Sequence, residues 1–235
     1  MSILERSKTI ASLAFRLGEE ERATCHPDLR PETVAMHTTM PCLMAMMLLM
    51  LLTTNATQAA EPPAPFGFQM RSTPSDSILK VNECRPDETG LGHTCAKAPK
   101  PVYPFETFVL RVTGDGIVRI VAGAWFKRDA YGTLAQKAFD HIAELLTQKW
   151  GKPRTSVDFI EPDSIWGEAR FYAMSLLKNQ RTRAAFWVEE GRDTAIKLEL
   201  RSFSYDEIAL ILTYEDSPGV ARMNLQINKQ TSDSL

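Results

Sequence analysis

The sequence predicts an α+β fold in which an antiparallel sheet of about five to six strands has two main helices packed on one face. Three observations predict it. Segments with alternating apolar residues come in hairpins, two amphipathic helical segments separate these hairpins, and no βαβ unit repeats along the chain. We therefore expect strands that pair with their sequence neighbours, and a sheet with one face against the helices and one facing water.

A dense apolar run lies before this fold. Residues 40–52 carry no charge, and as a helix they would span roughly 20 Å, which is short for a hydrocarbon core of about 30 Å but suits a signal peptide. Small residues follow, so we expect cleavage after Ala59 or Ala60. The alternatives are an uncleaved segment that anchors the protein in the inner membrane through residues 40–52, and a helix of the protein core.

This boundary divides the chain into three parts. Residues 1–35 are an extended leader or precede the true start, residues 36–60 are the signal peptide, and residues 61–235 form a single secreted domain large enough to bury a core. We expect a periplasmic location and no stable membrane insertion after cleavage. Of 27 basic and 29 acidic residues, five and six precede residue 61, leaving 22 and 23. This near balance, with no basic block, argues against binding nucleic acid.

Export would leave two of the four cysteines, Cys84 and Cys95, in an oxidising compartment, where a disulfide between them is the natural pairing. It would close a polar loop of about ten residues and stabilise the fold by roughly 2–3 kcal/mol. The alternative is a metal site that adds His93, with Asp87 or Glu88 nearby. Because no Cys-x-x-Cys spacing is present and a fourth ligand is undefined, we expect neither a metal nor a cofactor.

The first elements after the boundary are short, and a long hairpin follows them. Residues 65–70, PFGFQM, predict a strand, and Thr73 followed by Pro74 and Asp76 predicts a capped helix over about 74–81. In the hairpin, the alternation of one strand ends at Gly114-Asp115-Gly116 and resumes at Val118. Apolar residues on both faces of this hairpin predict that its strands lie inside the sheet.

Helical spacing over about 131–150 predicts the longest helix, which ends at Trp150 because Gly151 and Pro153 follow. A strand is expected over 155–161. Asp163 is expected to cap a second helix over about 164–180, with Ile165 on its apolar face. Three further strands, over 184–190, 194–203 and 207–215, close the domain, and residues 218–230 form a helix or a last strand.

Candidates for catalysis are few. The sequence has no nucleophile elbow, zinc-protease, phosphate-loop or dinucleotide pattern. His141 lies in the middle of the long helix with no evident partner and is interpreted as a solvent-facing or half-buried residue. Three carboxylates, Asp158, Glu161 and Asp163, precede the second helix, and paired acids of this kind serve hydrolases.

Aromatic residues are the other candidates for function, namely Phe66, Phe68, Trp125, Trp150, Trp166 and Trp187. At their spacing most belong to the core, and any that lies exposed on the sheet would mark a contact surface. The sequence therefore predicts a periplasmic, non-catalytic binding protein of the envelope accessory, immunity or inhibitor type, whose sheet or cysteine loop meets a protein partner in the cell envelope. The alternative is a carboxylate-dependent periplasmic hydrolase that uses Asp158, Glu161 and Asp163.

Several short motifs support export by resemblance. The segments PFGFQM and TPSD, the aromatic hairpin, YGT, KWGKP and DSIW together resemble small, functionally uncharacterised secreted α+β proteins of Gram-negative bacteria. The resemblance covers about residues 65–215. The chain departs from the pattern at residues 70–73, where Met-Arg-Ser-Thr stands in place of Gly-Met-Ser/Thr. The matching residues are turn and packing residues, so the resemblance implies a periplasmic location and a fold but no catalytic residue.

Overall fold

The strands form one antiparallel sheet. The computed structural model describes residues 63–188 and 193–233. The strands in these residues are β1 (Cys84–Pro86), β2 (Gly92–Cys95), β3 (Thr107–Thr113), β4 (Gly116–Lys127), β5 (Thr155–Ile160), β6 (Arg181–Val188), β7 (Thr194–Ser202) and β8 (Glu207–Asp216). They lie in the order β1-β2-β3-β4-β8-β7-β6-β5. The α+β class and the antiparallel sheet are confirmed, but the described sheet has eight strands, not five or six.

The described residues contain four α-helices where the sequence predicted two main ones. They are α1 (Asp76–Val81), α2 (Thr133–Trp150), α3 (Tyr172–Leu177) and α4 (Ser217–Asp233). Helices α2 and α3 lie against β6, β7 and β8 and share the main core. Helix α4 lies against β4 and β8, where Val220 and Met223 pack with Val118 in a separate cluster. The prediction of helices on one face therefore holds for α2 and α3.

The two strands that the sequence analysis missed lie in the cysteine loop. Strands β1 and β2 form a small hairpin in which Cys84 and Cys95 stand directly opposite each other. Their sulfur atoms form the predicted disulfide. Strand β2 in turn pairs with β3, so this polar segment extends the sheet instead of forming a free loop.

The long hairpin is confirmed, with a bulge that the alternation did not reveal. Strands β3 and β4 are joined by Gly114 and Asp115, and the pairing shifts near Val112. Because the shift inserts an extra residue, Ile117 enters the main core, while Val118 joins the α4 cluster. Gly116 has a positive φ, and a Cβ there would lie 2.5 Å from the backbone of Ser72, so glycine is required.

Helix α2 has the predicted end and a start fixed by a carboxylate. The Asp129 side chain accepts hydrogen bonds from the backbone N–H groups of Leu134 and Ala135, at 3.0 and 2.9 Å. These donors lack partners within the helix, so the buried carboxylate satisfies them. At the other end Gly151 closes the helix. His141 is exposed on this helix.

The predicted second helix is wrong over its first half. Only Tyr172–Leu177 is α-helical, after a single 3₁₀ turn over Ala169–Phe171. Ser164 Oγ accepts from the backbone N–H of Trp166, and Glu168 is extended, so the chain turns before a helix can start. Asp163 therefore caps no helix, and Ile165 is exposed to solvent.

The N-terminal segment of the domain packs under the sheet as a turn. The predicted strand over 65–70 is wrong, because Pro65–Gly67 forms a 3₁₀ turn with Phe66 at positive φ. Phe66, Phe68 and Met70 are nonetheless buried in the main core. The cap of α1 is Ser75, whose Oγ accepts from Ile78 N–H, and not Thr73.

The register gives the sheet two distinct faces. One row across it contains Leu110, Ile120, Tyr214, Ile196 and Trp187, all of which belong to the main core under α2 and α3. We call this side the helix face. The adjacent row, which points to the second face, contains Val109, Val121, Thr213, Lys197, Phe186 and Thr155. Its character changes along the sheet, from apolar at β3 and β4, through polar and charged at β8 and β7, to aromatic at β6 and polar at β5.

Candidate functional site

The three predicted carboxylates do not gather around a shared site. Asp158 lies on the helix face of β5, where its carboxylate accepts a hydrogen bond from Arg183 on β6. Glu161 and Asp163 lie in the loop after β5, and both side chains are exposed to solvent. A paired-acid hydrolase needs one carboxyl group that stays protonated near a second that is ionised. Asp158 instead forms an ion pair with Arg183, and the side chains of Glu161 and Asp163 face solvent.

Arg183 is the centre of this polar cluster. Besides Asp158, it donates to the Asp140 carboxylate of α2 at 2.6 Å, and its guanidinium lies 5.0 Å from the centre of the Phe139 ring. Burial alone would lower the pKa of Arg183, but the hydrogen bond to Asp140 and the charge of Asp158 outweigh it, so the pKa is raised. The arginine thus stays charged and ties β5 to α2.

A second arginine lies over a buried tyrosine beside this cluster. The Arg181 guanidinium is 4.7 Å from the centre of the Tyr172 ring, and its Nε donates to Ser175 Oγ at 3.0 Å. Tyr172 is only 4% exposed, and its hydroxyl has no hydrogen-bond partner among the described residues. Burial raises the pKa of Tyr172 to about 12. These contacts join α3 to β6 and provide no nucleophile at neutral pH.

The cysteine hairpin is fixed by a buried ion pair. Arg111 on β3 is bonded to Asp87 in the hairpin loop, and the two side chains are 3% and 2% exposed. Arg111 also donates to Thr89 Oγ1, which itself donates to Asp87. Burial lowers the pKa of Arg111, although the charge of Asp87 acts in the opposite direction. The loop that the sequence offered as a contact surface is therefore bonded to the sheet.

The residues of the alternative metal site at this hairpin are already bonded to other groups. Cys84 and Cys95 are oxidised to a disulfide, so neither sulfur is a thiolate, and Asp87 is bonded to Arg111. Among residues 63–188 and 193–233, no group of three or more His, Cys, Asp or Glu side chains is arranged to hold a metal ion.

The exposed apolar residues of the sheet lie at its other end, on the second face. Here β5 and β6 present Val157, Phe159, Phe186 and Val188, which we call the β5–β6 strip. Phe159 is 52% exposed and Val188 is 45% exposed. Val157 and Phe186 are half-buried, and Lys197 lies 5.5 Å from the centre of the Phe186 ring. The strip has the make-up of a contact surface, with apolar and aromatic side chains inside a polar border.

The aromatic residues predicted from the sequence to be candidates for a contact surface lie elsewhere. Of those, Phe66, Phe68 and Trp187 are buried, and Trp125 packs on Phe203 at a centroid distance of 4.9 Å. Phe159 was not among the candidates. Its alternation with Val157 was visible in the sequence, but the position of β5 at the end of the sheet was not.

Comparisons with known proteins find no relative of this chain. No family model matches the chain, and searches of curated proteins and of solved structures find no match. The resemblance to small secreted proteins of Gram-negative bacteria thus stays a prediction.

The predicted signal peptide lies outside the described residues, as does the apolar run over 40–52. Within the described part of the chain, no helix has both the length and the apolar character needed to span a membrane.

Proposed function

We propose that the protein is a non-catalytic binding protein of the periplasm, exported by residues 36–60, and that it binds a protein partner of the cell envelope through the β5–β6 strip. The observation that carries the proposal is the exposure of Phe159 on a strand of the sheet. Half-exposed aromatic residues that a rigid sheet holds in place lose little conformational freedom on binding, and such residues dominate protein interfaces.

The surroundings of the strip support binding more than catalysis. The charged residues nearest to it on the helix face, Asp158 and Arg183, neutralise each other. On the second face the strip is followed along the sheet by Lys197 and Glu199, which are themselves paired at 3.4 Å. An apolar centre with paired charges around it is suited to a partner surface, because binding leaves no buried charge without a partner.

The test is capture of a partner by a protein tagged at the C-terminus, from the periplasmic fraction of the producing bacterium. We expect Phe159→Ser to lower retention of the partner about tenfold or more, as for a central aromatic residue of an interface. Ile165→Ser is the matched control, because Ile165 is 76% exposed but lies outside the strip. Equal retention by wild type and Phe159→Ser, or no protein retained above a tag-only column, would contradict the proposal.

Export has its own test. We expect the N-terminal sequence of the protein from the periplasmic fraction to begin at Ala60 or Glu61. A protein that begins at Met1 or Ser2 would overturn the cleavage proposal, and a protein found only in the membrane fraction would support the anchor formed by residues 40–52 instead.

A further inference from the structure

We infer that β5 pairs with β5 of a second copy, so that two sheets join into one across a two-fold axis at Val157. Strand β5 is the last of the described sheet, and no described strand pairs with its outer side. The inference goes beyond the proposed function, since it concerns the edge of the sheet and not the strip on its face.

The backbone of β5 has hydrogen-bonding groups that point away from the sheet. At its end the N–H of Glu161 donates to the carbonyl of Gln180 at 2.9 Å, in register with the β5–β6 pairing. Because bonded pairs alternate in an antiparallel ladder, residues 155, 157 and 159 also bond to β6, whereas Ser156, Asp158 and Ile160 direct their N–H and C=O groups outward. Such a row is a template for another strand.

Of the usual protections of an edge strand, β5 has only one charged side chain, Asp158. It has no lysine, no proline within Thr155–Ile160 and no bulge in its pairing with β6. The opposite edge is different, because β1 has three residues and ends at Pro86. A molecule with one open edge and one closed edge assembles into a closed pair and not into an extended fibre.

Side chains decide the register of the pair. If Asp158 were opposite its own copy, two like charges would face each other, which destabilises a sheet. With the two-fold axis at Val157, Ser156 is opposite Asp158 of the second copy and its hydroxyl can donate to that carboxylate. Val157 then meets its own copy, and Thr155 lies beside Phe159 of the second copy. This register forms four backbone hydrogen bonds, two in each of the Ser156–Asp158 pairs.

The pairing also has a consequence for the strip. Antiparallel strands in one sheet keep the same faces, so residues 155, 157 and 159 of both copies lie on the second face. The strips of the two copies, which contain Phe159 and Val188, would then form one continuous surface with two-fold symmetry.

Sedimentation of the purified full chain tests the inference, with variants that change the charge at the axis. We expect wild type to be a dimer at about 100 µM, which requires a Kd tighter than about 10⁻⁴ M. Val157→Lys and Val157→Glu each place like charges together at the axis, so each variant alone should dimerise at least about tenfold more weakly. An equimolar mixture of the two variants should restore the dimer, because lysine then faces glutamate at the axis. Variants that had simply misfolded could not pair in this way.

Thr182→Lys is the control, because Thr182 is exposed on the same face but lies on β6 and not at the edge. It should leave the dimer unchanged. Three results would each overturn the inference: a monomeric wild type, which would leave the edge to a strand of another protein; a dimer that persists in both Val157 variants; or a mixture that stays monomeric.

Discussion

The two ends of the sheet are built in opposite ways. At one end β1 is three residues long, ends in a proline, and is covalently joined to β2 through the Cys84–Cys95 disulfide. At the other end β5 has six residues, no proline and an exposed phenylalanine. Sheet edges attract other strands, and natural proteins normally protect them. Among the described residues one edge is protected and the other has no strand or proline to close it, which is the arrangement expected of a protein that binds through one end of its sheet.

The protected end lacks a large apolar core of its own. Strands β1 and β2 contain no large apolar side chain, and the hairpin is fixed by the disulfide, by the Arg111–Asp87 pair and by hydrogen bonds around Thr89. The open end, by contrast, is supported from the helix face by α2 and α3 through Arg183 and Arg181. Substitutions at the two ends should therefore have effects of different size and kind.

The largest effect is expected at the buried pair of the protected end. Asp87→Ala leaves the guanidinium of Arg111 without its carboxylate in a position that is 3% exposed. Removing one partner of a buried ion pair costs about 3–5 kcal/mol, because the remaining charge stays desolvated but loses its counter-charge. Urea unfolding of wild type and variant measures the change in the free energy of unfolding.

Asp115→Ala is the matched control for that measurement. Asp115 is bonded to Arg222 at 2.9 Å, but both side chains are more than half exposed. An exposed pair contributes about 0–1 kcal/mol. If both substitutions cost the same, the Asp87 pair is accessible to water and the protected end is weaker than described.

The next effect concerns the disulfide. Replacement of Cys84 and Cys95 by serine should lower the free energy of unfolding by about 2–3 kcal/mol, because the unfolded chain gains the freedom of a loop of about ten residues. Wild type treated with a reductant should match the double variant. A double variant as stable as oxidised wild type would show that the ion pair alone fixes the protected end.

Sequence patterns predicted the elements whose stability is local. The hairpin around Gly114 and helix α2, which ends before Gly151, were predicted because their turns and their end depend on nearby residues. The disulfide was predicted from Cys84 and Cys95, the two cysteines that lie after the predicted signal peptide. These features require no knowledge of which strands are neighbours.

Features that depend on distant partners were missed. Strands β1 and β2 have no apolar alternation, since their pairing depends on a disulfide and on Arg111 of another strand. The bulge that moves Val118 out of the main core depends on how β3 and β4 pair. The candidate contact residue Phe159 was missed for the same reason, because a strand becomes an edge only when the whole sheet is assembled.

A smaller effect is expected below the open end at high pH. Tyr172, under Arg181, has an ordinary pKa of 10.0 that burial raises to about 12. The folded state therefore favours the neutral phenol. Its contribution to the free energy of unfolding is fully present below pH 10 and is lost as the pH rises from 10 towards 12. At pH 11 the loss is about 1.4 kcal/mol.

Tyr172→Phe isolates this contribution. The hydroxyl has no hydrogen-bond partner among the described residues, so we expect the variant to be as stable as wild type, or slightly more stable, at pH 7. Between pH 7 and pH 11 it should lose about 1.4 kcal/mol less stability than wild type. Urea unfolding at the two pH values gives both numbers, and an identical loss in both proteins would mean that the phenol is accessible to water in the folded state.

The smallest effect on stability is expected at the open edge itself. Phe159→Ser removes a ring that is 52% exposed, so the free energy of unfolding should fall by only about 1 kcal/mol. Unfolding should be measured at low protein concentration, because pairing of two copies through β5 would add stability that increases with concentration. A loss of several kcal/mol in the dilute protein would mean that Phe159 is part of the core. A small loss would instead show that this ring contributes little to folding. An exposed aromatic residue of this kind at an open edge remains available to a partner.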